Sequence, residues 1–199
     1  SQYGRAIVST TSGTSITMGT GVVFNTGSAY YNSIAFDPNT AGKFVIAYRN
    51  ADNSQKGTAI IGTVSGTSIT YGSKYLFNSG GTSNYNSVSF DPNTAGKFVV
   101  AYSDGPNSDS GTAIVGTVSG TAITFGSEIV FNSGFTTSIS TAFDPNEAGK
   151  FVISYIDNGN SGYSTAIVGQ LATPATSPNL TSTNFLGTST ASYTDTQTA

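Results

Sequence analysis

Three aspartates head one recurring phrase. FDPNTAGKFVIAY at 36–48 returns as FDPNTAGKFVVAY at 90–102 and as FDPNEAGKFVISY at 143–155, so Asp37, Asp91 and Asp144 share one setting. A carboxylate can act as general acid or base, as nucleophile, or as metal ligand. The residues that most often join it are missing, because the 199-residue chain has no His and no Cys. That excludes a Ser-His-Asp arrangement, a Cys/His metal site and any disulfide. A glycosidase needs two carboxylates within roughly 5–9 Å, and the ten acids offer no unrepeated pair. Glu128, Glu147 and Asp109 occur once each, but Glu128 falls in a strand-like run and Glu147 in a turn. The Asp, Asn and Ser of DGPNSD (104–109) have the oxygen ligands of a Ca²⁺ loop without its spacing, and Asx-turn chemistry explains them more simply. No enzymatic activity, metal or cofactor is expected.

The chemistry that does fit Asp37, Asp91 and Asp144 is local. An Asp side chain caps a turn, the following Pro fixes φ, and a Gly such as Gly42 supplies a positive φ. Phe36, Phe44 and Tyr48 then read as packing residues on either side of the turn. The repetition marks scaffold.

Other phrases recur with the same period. RAIVST (5–10) returns as TAIIGT, TAIVGT and TAIVGQ, and SITMGTGVVFN (15–25) returns as SITYGSKYLFN and AITFGSEIVFN. Phe36, Phe90 and Phe143 are spaced by 54 and 53 residues. An internal repeat of this length decides the fold class before any detail does. Each unit carries four strand-like runs: a (NSVSFD), b (KFVVAY), c (TAIVGTV) and d (AITFGSEIVFN). They are rich in Val, Ile, Thr, Phe and Tyr and bounded by Gly, Pro, Asn and Ser. Runs b and c are continuously apolar, as strands covered on both faces are, and d alternates as an outer strand does. No segment of helical length shows a 3.6 period.

These features predict an all-β, β-propeller-like array of four-stranded antiparallel blades, with a β-sandwich array or β-solenoid as the alternative. The order c-d, a-b-c-d, a-b-c-d, a-b-c gives thirteen strands, about three and a quarter repeats. The repeat region is 1–171, made of a partial unit 1–29, units 30–83 and 84–137, and a partial unit 138–171. Residues 172–183 (ATPATSPNLTST) read as a linker, and 184–199 as the start of a C-terminal module or a tail. A ring of fewer than four blades is open. The chain is therefore expected to be a piece of a longer protein, or to associate with copies of itself or within a larger assembly. The sequon Asn179-Leu180-Thr181 is a chance match in a Ser/Thr-rich stretch.

Charged residues are only 9% of the chain, against roughly 25% in an average domain, and the net charge is −3. Seven scattered cations give no nucleic-acid footprint. No apolar run reaches the ~18 residues of a membrane-spanning helix. Polarity comes from Gly, Ser, Thr and Asn instead.

Variation between units is concentrated in the b–c loops (49–57, 103–111, 156–164) and the d–a loops (26–31, 79–85, 133–138), while the a–b and c–d turns are nearly identical. In a propeller the two variable sets open on one face. That face carries Tyr30, Tyr31, Arg49, Asn53, Tyr85, Asp104, Asn107, Phe135, Asp157, Asn160 and Tyr163. Aromatic rings beside amides and charges suit glycan or protein recognition, and drift of tolerant surface loops is the alternative.

The phrases TAIVGTVSGTAITFGS, FDPNTAGKFVIAY, DNGNSGYSTAIVG and the tail PNLTSTNFLGTSTASYTDTQTA resemble a repeat family of marine phage tail-fibre-like and bacterial surface proteins. The resemblance covers nearly the whole chain. It implies a non-enzymatic virion or cell-surface appendage that contacts a host, or a structural subunit of an extracellular filament or adhesin. The short array, the partial first unit and the truncated C-terminal module depart from that pattern, and no functional residue carries over.

Overall fold

The structure is a computed structural model and describes residues 3–171 and 185–190. The described residues are all-β, 72% strand and 5% helix, and the sheet is mostly antiparallel. The first unit contributes β1 (Tyr3–Ala6), the hairpin β2 (Ser9–Ser12) and β3 (Ser15–Met18), and the start of β4 (Val22–Phe36). Then come β5 (Lys43–Asn50), β6 (Lys56–Ser65), β7 (Ser68–Phe90), β8 (Lys97–Asp104), β9 (Ser110–Ser119) and β10 (Ala122–Phe125). The last are β11 (Ile129–Phe143), β12 (Lys150–Asp157), β13 (Tyr163–Gln170) and β14 (Phe185–Thr190). Hydrogen bonding follows chain order, β1-β4-β5-β6-β7-β8-β9-β11-β12-β13-β14, with β10 also on β9. The linker read at 172–183, and 191–199, lie outside the described residues. β14 pairs with β13 at the position that strand d takes in the complete units. No described helix is long and apolar enough to cross a membrane.

The turn between a and b is built as its residues dictate. The backbone N–H groups of Asn39, Asn93 and Asn146 donate to Oδ1 of Asp37, Asp91 and Asp144 at 2.9, 2.9 and 2.8 Å. Gly42, Gly96 and Gly149 take φ of 72°, 70° and 75°. Asp91 does more, because its second oxygen accepts the Gly149 N–H of the next unit at 2.9 Å.

Strands d and a were expected to be separated by a loop. They instead run together as β4, β7 and β11. A β-bulge with one residue in the left-handed region redirects the strand where a loop would otherwise be needed. Tyr31, Tyr85 and Ser138 occupy that position with φ of 51°, 52° and 52°, and the register to the next strand slips at each. β7 therefore pairs with β6 along Ser68–Thr82 and with β8 along Ser83–Phe90.

Units pack face on face. Val45, Ala47, Ala59 and Ile61 of one unit meet Val88, Phe90, Phe98, Val100 and Tyr102 of the next. Val99, Ala101, Ala113 and Val115 then meet Phe151, Ile153 and Tyr155. Small side chains on one face thus receive large ones from the neighbour, which is how a repeat reaches interior packing density. Successive a strands are also tied directly. Ser33 Oγ accepts the Val88 N–H at 3.0 Å, and Ser87 Oγ accepts the Thr141 N–H at 2.9 Å.

Phe36 departs from its expected packing role. It is 58% exposed, whereas its counterpart Phe90 is buried. The preceding unit supplies only strands c and d among the described residues, so nothing covers strand a of the first full unit. A cleft of about 270 Å³ lined by Arg5, Ile7, Phe24, Ile34 and Ile46 lies at that end.

Candidate functional site

The three b–c loops differ in sequence and share one backbone. Each is a single 3₁₀ turn, Ala51–Asn53, Gly105–Asn107 or Asn158–Asn160. Each turn is followed by two left-handed residues: Ser54 and Gln55, Ser108 and Asp109, Ser161 and Gly162. Asn53, Asn107 and Asn160 sit exposed in these turns. The scaffold presents equivalent positions and the side chains decide what each presents.

Four of the singled-out residues, Asp104, Asp157, Phe135 and Tyr163, differ in setting. Asp104 is buried and accepts the Asn78 Nδ2–H at 2.8 Å. Burial pushes its carboxyl up, the Asn78 hydrogen bond opposes that, and the charge of Asp109 adds to it. Asn50 takes the same place in the unit before, meeting Asn25 Nδ2 at 3.4 Å. Both are struts between strands b and d. Asp157 has a buried Oδ1 with no hydrogen-bond partner. Phe135 and Tyr163 are exposed singly, 47% and 46%.

Tyr30, Tyr31, Arg49 and Tyr85 are brought together. The Arg49 guanidinium lies 5.0 Å from the Tyr30 ring centroid and 4.8 Å from that of Tyr31. The Tyr31 and Tyr85 rings meet across the border of two units at 5.0 Å, tilted by 50°. Arg49 Nη1 donates to Asn84 Oδ1 at 2.5 Å, also across that border. Arg49 Nε is buried without an acceptor. Asn86 Nδ2 donates to the Tyr31 carbonyl at 3.2 Å, which fixes the bulge that carries the ring. Tyr30 and Tyr31 are each 39% exposed. The group joins a permanently charged planar cation to two accessible aromatic faces, an arrangement suited to recognition and without a proton-transfer partner.

Asn84 was not singled out from the sequence. The signal for it was its register, since Asn84 takes the position of Tyr30 one unit on. A second unforeseen contact is Tyr102 Oη donating to Glu128 Oε1 at 2.7 Å. Burial first, then the Glu128 charge and hydrogen bond, hold the Tyr102 hydroxyl far above its ordinary range. Burial likewise raises Glu128, against the Tyr102 hydrogen bond, and Asp104 raises it further. Among the described residues no group of three or more acids, His or Cys could hold a metal ion.

Comparison with protein-family models, curated proteins and solved structures finds no match to this chain.

Proposed function

We propose that the chain is a non-enzymatic recognition module whose variable face binds a surface glycan or protein. The observation that carries this reading is the Arg49 cluster. It is the one place on that face where singled-out residues from two units converge on a shared, partly exposed contact. The equivalent positions hold Ser103 and Ile156 in the other units, so the scaffold itself does not require an arginine there.

The stack that presents the face is read as an arc of a β-propeller. Four-stranded meanders packed face on face, with strand a hydrogen-bonded to the next strand a, have the neighbour relation of blades around an axis. The uncovered faces at the ends of the arc suit association with further copies or with a larger assembly. By resemblance to tail-fibre-like and bacterial surface repeats, the setting is a virion or cell-surface appendage, outside the cell.

The test is a paired measurement of attachment and folding. Tyr31→Ala and Arg49→Gln should abolish binding to host cells or to an immobilised glycan panel while thermal unfolding changes little. Asp91→Ala should do the reverse, lowering stability without a specific effect on binding by the folded fraction. Unchanged binding by both face variants overturns the reading.

A further inference from the structure

We infer that the Arg49 cluster is a site for an acidic saccharide, with the sugar ring on Tyr30 and Tyr31 and its carboxylate or sulfate group on the guanidinium. The inference rests on the binding reading above and narrows its ligand class.

Three observations carry it. The first is an unpaired charge. The ion pair seen among the described residues is Lys150–Glu147, and no carboxylate meets Arg49, although the chain is acidic overall. A guanidinium carries five donors in one plane. Asn84 takes one through Nη1, Nε is buried, and Nη2 has no acceptor among the described residues and is not closed off as Nε is, so the Nη1–Nη2 end of the guanidinium faces a ligand. Planar oxyanions are the acceptors that match this fork.

The second is orientation. Both neighbouring rings lie within 5.0 Å of the guanidinium carbon. Asn84 anchors one nitrogen from the next unit. Packing and anchor together hold the fork in one pose, which lowers the ordering cost of binding.

The third separates a saccharide from an acidic peptide. A peptide commonly gains affinity by adding a strand to an open sheet edge. At this site the a half of β4 pairs with β5 on one side, and on its other side the next unit already takes main-chain and side-chain positions, with Asn86 Nδ2 donating to the Tyr31 carbonyl and Ser33 Oγ accepting the Val88 N–H. The Tyr30 and Tyr31 rings, each 39% exposed, offer a fixed apolar platform instead, since Tyr31 stands on a left-handed bulge and packs against the half-buried Tyr85 ring. The C–H face of a pyranose packs on such a platform without needing main-chain pairing.

The experiment uses calorimetry on the full chain with four probes: tetragalacturonate, a heparin-derived tetrasaccharide, neutral maltotetraose, and a glutamate tetrapeptide. At least one acidic saccharide should bind tenfold or more tightly than maltotetraose, and its affinity should fall with added salt. Arg49→Gln should remove that preference. Arg49→Lys should lose most of it, because an ammonium keeps the charge without the fork. Tyr30→Ala should weaken acidic saccharides by about fivefold or more, with thermal unfolding showing that each variant is folded. Equal binding of maltotetraose and the acidic sugars, or a preference that survives Arg49→Gln, overturns the ligand class and leaves the binding face standing. Tighter binding of the glutamate tetrapeptide also overturns it, in favour of a protein partner. If the unaltered chain binds none of the four but still attaches to host cells, the inference fails alone. If it attaches to nothing, both fail.

Discussion

Gly116 should not tolerate alanine, although its backbone is ordinary strand. It stands opposite Phe98 in the β8–β9 register. A Cβ on Gly116 would lie 2.1 Å from Phe98 Cζ and 2.5 Å from both Cε atoms, while ordinary contact starts at 3.4 Å, so the ring tip must retreat by 3.4 − 2.1 = 1.3 Å. Phe98 has no room to do so. It is fully buried, with Phe90 and Phe125 at centroid distances of 5.2 and 5.9 Å. Overpacking of this kind costs about 1–3 kcal/mol. Replacing a glycine returns about 0.4–1 kcal/mol by restricting the unfolded chain. Gly116→Ala should therefore lose about 1–2 kcal/mol, a fall of about 2–8 °C in Tm for a domain of this size. Urea unfolding of Gly116→Ala, Phe98→Leu and the double variant measures the coupling. Shortening the ring should relieve the clash, so the double variant should be less destabilised than the sum, by on the order of 1 kcal/mol. Gly120→Ala is the control: nothing lies within 4 Å of its Cβ, but its φ is +62°. It should cost about 1–2 kcal/mol and show no coupling to Phe98. A stabilised Gly116→Ala, or strict additivity with Phe98→Leu, refutes the packing argument. The same reasoning covers Gly62 over Phe44 and Gly169 over Phe151, with Cβ contacts of 2.1 and 2.2 Å.

Asp91→Ala breaks hydrogen bonds in its own turn and to the next unit, and each bond to a charged group is worth about 1.5–3 kcal/mol. Chemical denaturation should show it to be about twice as damaging as Asp144→Ala, whose turn bond stands alone. Burial raises the Asp104 carboxyl above its unfolded value, so the folded chain holds that proton longer, and this contribution to stability is present at acid pH and lost as pH rises through the raised folded value. Asp104→Asn, which copies Asn50 of the preceding unit, should flatten the fall in Tm across that window; an unchanged pH profile counts against the assignment. Ser138→Gly relieves a left-handed backbone that serine adopts reluctantly, at φ 52°. It should raise Tm or leave it level, whereas Ser138→Val should lower stability by about 1–3 kcal/mol in the same melting assay.

The repeated phrases made the strands, the a–b turn and the double burial of strands b and c in the two complete units legible, because each depends on residues close in sequence; in the last unit β12 and β13 keep one partly exposed face, since no further unit packs on them among the described residues. The Asp caps and the positive-φ glycines at 42, 96 and 149 follow from turn chemistry alone. The merging of d with a was not legible. It depends on Tyr31 and Tyr85 taking positive φ, and a tyrosine does not advertise that conformation. The exposed Phe36 escaped for a similar reason, since the phrase around it is the same as around buried Phe90 and only the neighbouring unit differs. Of the proposed face, sequence comparison picked out Arg49 and the tyrosines by their variability. It could not show that Arg49 and Asn84, 35 residues apart, would meet, because that contact is set by how units stack.

The shared strand β7 has a consequence for how the chain comes apart. A repeat array whose units each own their strands unfolds as weakly linked segments, with a term for each unit and a smaller one for each border. Here half of β7 is the outer strand of one unit and the other half the first strand of the next. Melting either unit leaves a long strand with one stretch stripped of its partners. The border term should then rival the unit term, and partly melted chains should be scarcely populated. The array should show one sharp denaturant transition, with an m-value set by its whole length, where a chain of independent modules would give a staircase.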